Sequence, residues 1–375
     1  MSAADGAVVS MTKLVDHGPD ATRWTMVILS EGYQVTGLAK FHSDADSFVT
    51  RLFATPPYTD MWCAINIYRV DVSSTDSGAD DPAVCGDGSV GTGTVAATFF
   101  DTTYCFAGTR RLLVGDQALA LTTAQAQVPE VDATVVIVND AKYGGAGGSV
   151  AFFSTHPSAA EIGIHEVGHA AFGLVDEYGD IVDTWTGGER PEPNVTSITD
   201  RATTKWASLI AAGTTLPTQT NPLCTTDNTA ASPVPAGTVG LFEGGGRAHC
   251  GLYRAEHDCY MRVLGQPFCV ICRAAIRRRL APHIPVFSTP VVGAQFGGTL
   301  AASETRRWFS YDWPACWHVV WTVNTTTPVT PGPGITWRVQ VERASRERIT
   351  YWIKVTNLTT NPLDIEARYA IMAKE

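Results

Sequence analysis

Glu161-Ile-Gly-Ile-His-Glu-Val-Gly-His-Ala-Ala-Phe-Gly-Leu-Val-Asp-Glu-Tyr178 combines a helical periodicity with a metal-binding chemistry. Ile162, Ile164, Val167 and Ala170 supply a packing surface, while His165 and His169, four residues apart, share one helix face and can address a single ion. Two neutral imidazole nitrogens suit Zn²⁺ best among the common divalent cations. Glu166 sits about 100° further round the helix, where its carboxylate can reach a zinc-bound water without ligating the metal. Tetrahedral zinc with two His and a water is one protein ligand short. Asp176 lies seven residues beyond His169, roughly 10 Å of rise in a continuous helix, so the helix must end between them. Gly173 is placed to end it, because glycine accepts the left-handed conformation that lets the chain turn back. Asp176 is then the first choice for third ligand, with Glu177, His249 and His257 left open.

The rest of the chain bounds the setting. At 375 residues it is long enough for two domains and a substantial core, with 45% hydrophobic and 17% charged residues. A net charge of −10 argues against a nucleic-acid binder, which concentrates positive charge. Arg277-Arg-Arg279 reads as a solvated helix end, where cations complement the helix dipole. No apolar run of about 20 residues exists to span a membrane. The start, Met1-Ser-Ala-Ala-Asp5, lacks the basic and apolar regions of a secretory signal. Nine cysteines nevertheless point to an oxidising, extracellular location, and their odd number leaves at least one without an intrachain partner.

In chain order, Thr25–Ser30 reads as a buried strand, Leu38–Phe53 as a surface helix, Ala64–Val72 as a half-buried strand and Val131–Val138 as a further strand, which together make a mixed sheet carrying helices. Ser73–Cys105 is a long loop; a Cys85–Cys105 disulfide across it would contribute on the order of 3 kcal/mol. Asp76, Asp80, Asp81 and Asp87 there are a candidate Ca²⁺ site, set against the commoner role of turn-forming acids. Asn139–Gly148, rich in glycine, matches no phosphate-binding motif and is expected beside the substrate cleft. Asp200–Ile210 reads as a short helix, and Asn194-Val-Thr, Asn324-Thr-Thr and Asn357-Leu-Thr match the glycosylation sequon. His249–Met261 with Cys269-Val-Ile-Cys272 allows a separate Cys/His zinc knot, but disulfides with a packed methionine are preferred because the spacing fits no standard finger. From Pro285 onward, alternating stretches at 335–343, 349–357 and 364–371 read as a small antiparallel β-sandwich. The division expected is residues 1–284 and 285–375.

Several motifs together resemble the IgA-peptidase type of zinc metalloendopeptidase, relatives of the metzincins. They are Tyr143-Gly-Gly, His165-Glu-Val-Gly-His169 with Gly173-Leu-Val-Asp-Glu-Tyr178, Pro193-Asn-Val-Thr196, Lys205-Trp206, Gly240-Leu-Phe-Glu243, Tyr253-Arg254, Cys259-Tyr-Met-Arg262 and Phe268-Cys-Val-Ile-Cys272. They run in order from about Arg23 to Ile276. The resemblance implies an α+β fold with a zincin-like catalytic domain, zinc on His165 and His169 with Asp176 completing the site, Glu166 as general base, and Met261 as a methionine turn beneath. The glycine and the acid each fall one residue later than in the metzincin pattern H-E-x-x-H-x-x-G-x-x-H. The expected activity is zinc-dependent hydrolysis of peptide bonds in a protein or peptide substrate, with Tyr178, Tyr253 and Arg254 as candidates for steadying the tetrahedral oxyanion. The competing expectation is a non-catalytic zinc-containing surface protein that adheres through its β-sandwich. Intact His165, Glu166 and His169 argue against it.

Overall fold

The computed structural model describes residues 5–285, 291–345 and 348–372. The start Met1-Ser-Ala-Ala lies outside them. The chain divides into two compact units, Met1–Pro282 and His283–Glu375.

The first unit is organised by strand β2 (Trp24–Glu31), whose eight residues are all buried. With β1 (Gly6–Val15), β3 (Ile65–Ser74), β4 (Ala133–Val138), β5 (Gly145–Gly147) and β6 (Ala151–Ser154) it forms a six-stranded sheet in the order β1-β3-β2-β4-β6-β5. The inner four strands are parallel, and the edge strands β1 and β5 run antiparallel to their neighbours. A central parallel strand is covered on both faces and therefore reads as a continuous apolar run, as Trp24–Leu29 and Ala133–Val138 do. On one face, Val27, Leu29, Val70, Val72, Val136, Val138 and Phe152 pack with Phe100, Leu113, Ala120 and Ala124 from helix α3 (Gln117–Gln127) and the loop before it.

Two helices bear on the sheet's other face. Helix α1 (Leu38–Ala54) buries Leu38, Phe41, Ala45, Phe48, Val49, Leu52 and Phe53, an i, i+3, i+4 stripe, and Phe48 meets Phe153 of β6 at a ring separation of 5.1 Å. The short α2 (Tyr58–Met61) follows it. Helix α4 (Ala159–Phe172), which carries both site histidines, lies close to the sheet at Gly163, where a Cβ would fall 2.6 Å from the Phe153 ring. Phe172, at its far end, stacks on Trp24 at 5.5 Å. After α4 the chain makes β7 (Gly179–Thr184), β8 (Val195–Thr196), β9 (Phe242–Gly245) and β10 (Arg247–Arg254), a small sheet centred on β10, and ends in α5 (Val270–Leu280).

The 75–116 loop is tied to the sheet by the buried Glu31 carboxylate, which accepts hydrogen bonds from the Phe100 and Thr102 amides and the Thr102 hydroxyl at 3.0, 3.3 and 3.2 Å. The Cys85–Cys105 disulfide is present. Nothing in the loop's geometry supports the calcium expectation. Asp76 and Asp80 accept from the Ala97 and Ala96 amides, Asp81 pairs with Arg110, and Asp87 binds Ser89. These acids act as the loop's own hydrogen-bond acceptors: Asp76 and Asp80 hold the backbone at Ala96 and Ala97, and Asp81 and Asp87 both bind Arg110.

Three further differences from the sequence reading have physical causes. The segment 200–210 forms turns and one 3₁₀ turn at Ala207–Leu209 in place of a helix. Side-chain anchoring overrides local propensity there, with Trp206 Nε1 donating to Gly240 O at 2.8 Å and Lys205 Nζ capping the Arg190, Glu192 and Val195 carbonyls. Strand β3 is mostly buried and not half-exposed, because it lies inside the sheet. Asn194 and Asn357 are 0% and 1% exposed, so neither sequon offers a free amide at the surface.

The second unit comprises β11 (Val291–Leu300), β12 (Thr305–Pro314), β13 (His318–Thr325), β14 (Ile335–Arg343), β15 (Arg348–Asn357) and β16 (Leu363–Met372). They form two antiparallel sheets, β11-β16-β13 and β12-β15-β14. Inward residues such as Trp313, Trp321, Ile353, Val355, Ile365 and Ala367 make its core.

The close approach at Gly163 sets up an opposition between two effects. Gly163→Ala improves helix propensity by about 1 kcal/mol but drives a methyl into the Phe153 ring, an overpacking cost of about 1–3 kcal/mol. Urea denaturation should show a net loss of stability, and an unchanged or raised midpoint would mean that α4 does not sit this tightly on the sheet.

Candidate metal centre and cleft

Helix α4 ends at Gly173, which has φ 62° and ψ 30°. The Gly173 amide donates to His169 O at 3.2 Å and the Leu174 amide to Gly168 O at 3.1 Å, the doubled bonding of a left-handed helix stop. The chain then folds back along the helix end, held by the buried Asn194. Its side chain accepts from the Val175 amide at 3.1 Å and donates to Val175 O at 2.8 Å. This reversal brings Asp176 Oδ1 to 3.0 Å from His165 Nε2 and 3.3 Å from His169 Nε2, while the two Nε2 atoms are 3.1 Å apart.

The opposite ring nitrogens are also engaged. His169 Nδ1 lies 2.7 Å from Leu174 O and His165 Nδ1 3.3 Å from Tyr260 O. Since carbonyls only accept, each ring donates from Nδ1, which orients it and leaves Nε2 facing the common point. Met261, next to Tyr260, is fully buried beneath α4; a Cβ on Gly168 would fall 2.8 Å from its sulfur. Met261 O accepts from the Glu177 amide at 2.8 Å, linking this floor to the Asp176 segment.

Glu166 presents a carboxylate oxygen within 4.8 Å of both imidazoles and is largely buried. Burial pushes its carboxyl above the ordinary range, against the opposing pull of His165 and His169. Burial also disfavours a charge on His169, yet its hydrogen bond to Asp176 and the charges of Asp176 and Glu166 outweigh that and raise it to about 9. The site therefore already favours a cation at the point where the three donors converge.

A cleft of about 470 Å³ opens over these residues, bounded by His165, Glu166, His169, Asp176, Tyr178, Arg111, Arg190, Glu192 and Arg247. A smaller hollow of about 140 Å³ shares His165, Glu166, Arg111 and Tyr178 and continues to Tyr143, Ile162 and Leu264. Arg111 Nη2 donates to Tyr178 Oη at 3.2 Å and to Asp180 at 2.9 Å, and Arg247 also grips Asp180 at 2.7 Å. Burial pushes the Tyr178 phenol up, so it stays protonated and keeps its own O–H to donate.

Of the sequence-predicted residues, His165, Glu166, His169, Asp176 and Tyr178 come together at the cleft, with Met261 below. The remaining candidates lie elsewhere. Tyr253 Oη is 3.4 Å from Glu243, and the Arg254 guanidinium is buried against the carbonyls of Glu243, Gly244 and His257. Neither lines the cleft, so neither reaches an oxyanion there. Glu177 turns to the opposite side from Asp176, towards Cys269 and Cys272. His257 is engaged by Asp258 and Ala230 O, and His249 sits against Gly179.

Arg111, Asp180 and Arg247 were not anticipated. They come from a loop and short strands with no periodic signal, and only the fold assembles them. The disulfide expectation for the later cysteines needs correction as well. Cys224 pairs with Cys250, whereas Cys259, Cys269 and Cys272 are buried thiols.

This arrangement, a helix-borne histidine pair with a converging acid on a mixed sheet, defines a metallopeptidase-type hydrolase. Residues 12–232 match the IgA peptidase M64 family, and the chain belongs to it. That span contains the whole His165–Tyr178 motif, and the peptidases of the family are metallopeptidases that act on protein or peptide substrates. No curated protein matches the chain. Among the described residues no helix is long and apolar enough to cross a membrane.

The Gly173 stop can be tested without disturbing side-chain packing, because a Cβ there meets nothing within 4 Å. Gly173→Ala should therefore cost only the left-handed backbone penalty, about 1–2 kcal/mol in chemical denaturation, with Gly173→Asn costing less. Equal stability of all three proteins would remove the left-handed stop from the account.

Proposed function

We propose that this chain is a zinc-dependent endopeptidase, probed first through the three donors at 3.0–3.3 Å from one another. That observation carries the reading. Ligands at 2.0–2.1 Å around tetrahedral zinc are separated by about 3.3 Å, and a two-imidazole, one-carboxylate set with a remaining open position is that of catalytic zinc. His165, His169 and Asp176 would hold the ion. When bound, zinc supplies Lewis acidity, polarising a carbonyl and acidifying water.

The side chains supply the rest. Glu166, whose carboxyl is raised by burial, accepts the proton of the attacking water and passes it to the leaving amine. Tyr178, protonated and held by Arg111, would donate to the developing oxyanion. The hydrogen bonds from the two Nδ1 atoms to Tyr260 O and Leu174 O keep both rings aimed throughout the cycle. Endopeptidase action is supported by two hollows that share Glu166 in their linings and give room for an extended substrate. Two disulfides support an extracellular location.

Two experiments test this reading. Glu166→Ala should retain stoichiometric zinc and lose casein cleavage by about 10²–10⁴-fold, the usual worth of a positioned general base; undiminished cleavage would overturn the mechanism, and a metal-free, inactive parent protein would favour a purely adhesive role. The second concerns pH. With His169 held up near 9 in the metal-free site, an incoming metal must displace its proton. Zinc affinity, measured by chelator competition, should fall by about tenfold per pH unit as pH drops below that value, with proton release on metal addition in weak buffer. A pH-independent affinity between 6 and about 9 would contradict it.

A further inference from the structure

Directly behind Asp176, a second group of ligating side chains has no role in the chemistry above. Cys259, Cys269, Cys272 and Glu177 are all buried, and each offers a ligand atom within 4.8 Å of the others. Cys259 Sγ and Cys272 Sγ are 3.7 Å apart, and Glu177 Oε1 lies 3.6 Å from Cys269 Sγ and 3.2 Å from Cys272 Sγ. Tetrahedral zinc with sulfur at 2.3 Å and oxygen near 2.0 Å separates its ligands by about 3.8 Å for two sulfurs and about 3.5 Å for sulfur and oxygen. The four side chains are therefore spaced as a closed zinc shell would space them.

Three features point to a cation as the missing partner. Glu177 is 0% exposed, and its Oε2 has no hydrogen-bond partner. Its Oε1 accepts from Asn194 at 3.0 Å and the buried Arg254 pulls on the carboxylate, but an Oε2 left without a partner in a buried site is still costly. Second, three thiols cannot all be consumed by disulfides, so pairing any two would strand the third in the same apolar pocket. Third, the surrounding backbone is set for thiolate charge: the Cys269 amide donates to Cys259 Sγ at 3.2 Å and the Cys272 amide to Cys269 Sγ at 3.4 Å. Cys269 is also the N-cap of α5, where the helix dipole favours negative charge.

We infer that Cys259, Cys269, Cys272 and Glu177 bind a second, structural zinc ion. Thiolate ligands select zinc over calcium or magnesium, and four protein ligands leave no open position, so the ion does no chemistry of its own. Its place explains its use. Glu177 follows Asp176 directly, and Cys259 lies two residues before Met261, so one ion would pin together the Asp176 segment, the methionine floor and the start of α5. The inference stands independently of the catalytic reading, because it concerns different side chains and is tested by metal content.

The test uses the full chain, expressed and purified with zinc present. Elemental analysis should give two zinc ions per chain for the parent and one for the His165→Ala/His169→Ala variant, which leaves the thiol cluster intact. X-ray absorption at the zinc edge of that variant should show a sulfur-dominated shell near 2.3 Å, and cobalt exchanged into it should give thiolate-to-cobalt charge-transfer absorption. Absence of zinc from the variant would overturn the inference. So would a nitrogen- and oxygen-only shell, or a disulfide among Cys259, Cys269 and Cys272 found by alkylation and peptide mass mapping of the parent.

Discussion

The reversal of the chain after α4 is the constraint on which the site depends. A helix alone can bring two imidazoles together, but a third donor seven residues on would be carried away along the axis. The left-handed Gly173 and the buried Asn194 convert that separation into convergence, setting Asp176 Oδ1 about as close to each Nε2 as these are to one another. Between the Gly173 stop and the acid, the Leu174 carbonyl receives His169 Nδ1.

The electrostatics follow from the same compactness. Asp176, Glu166 and two imidazoles share a largely desolvated volume, so their charges interact strongly: Glu166 and His169 are raised and Asp176 is lowered. Each histidine is tethered at its far nitrogen to a main-chain carbonyl, one from the returning strand and one from the methionine floor. The acid and the imidazoles are thus oriented by three different chain segments, and a shift in any of them disturbs the others. Arg111, Asp180 and Arg247 extend this network across the cleft and hold Tyr178 in position.

Much of this was legible in the chain itself, for definite reasons. The spacing of His165, Glu166 and His169 is a local property of helix geometry, and so is the need for a break before Asp176. The parallel core strands announced themselves as unbroken apolar runs, and the alternation after Pro285 marked antiparallel strands. What was not legible depends on long-range assembly. Strand β1 is largely exposed and carries no clean alternation. Helix α3 is rich in Ala, Thr and Gln and has little amphipathic contrast. Tyr253 and Arg254 have the right chemistry but the wrong direction, which only the register of β10 against β9 reveals. The cysteines of the thiol cluster were visible as a possible zinc knot, but its fourth member was not, because Glu177 joins them from more than 80 positions earlier in the chain.

Asn194 carries one more consequence. Its amide is committed to the Val175 backbone and to Glu177 Oε1, yet it stands in an Asn-Val-Thr triplet. Oligosaccharide transfer in a eukaryotic secretory pathway acts on nascent polypeptide before tertiary structure forms. A sugar attached there would occupy the one amide that closes the acidic turn, so yeast or mammalian production would trap a fraction of molecules with an unassembled centre, whereas bacterial production avoids that branch.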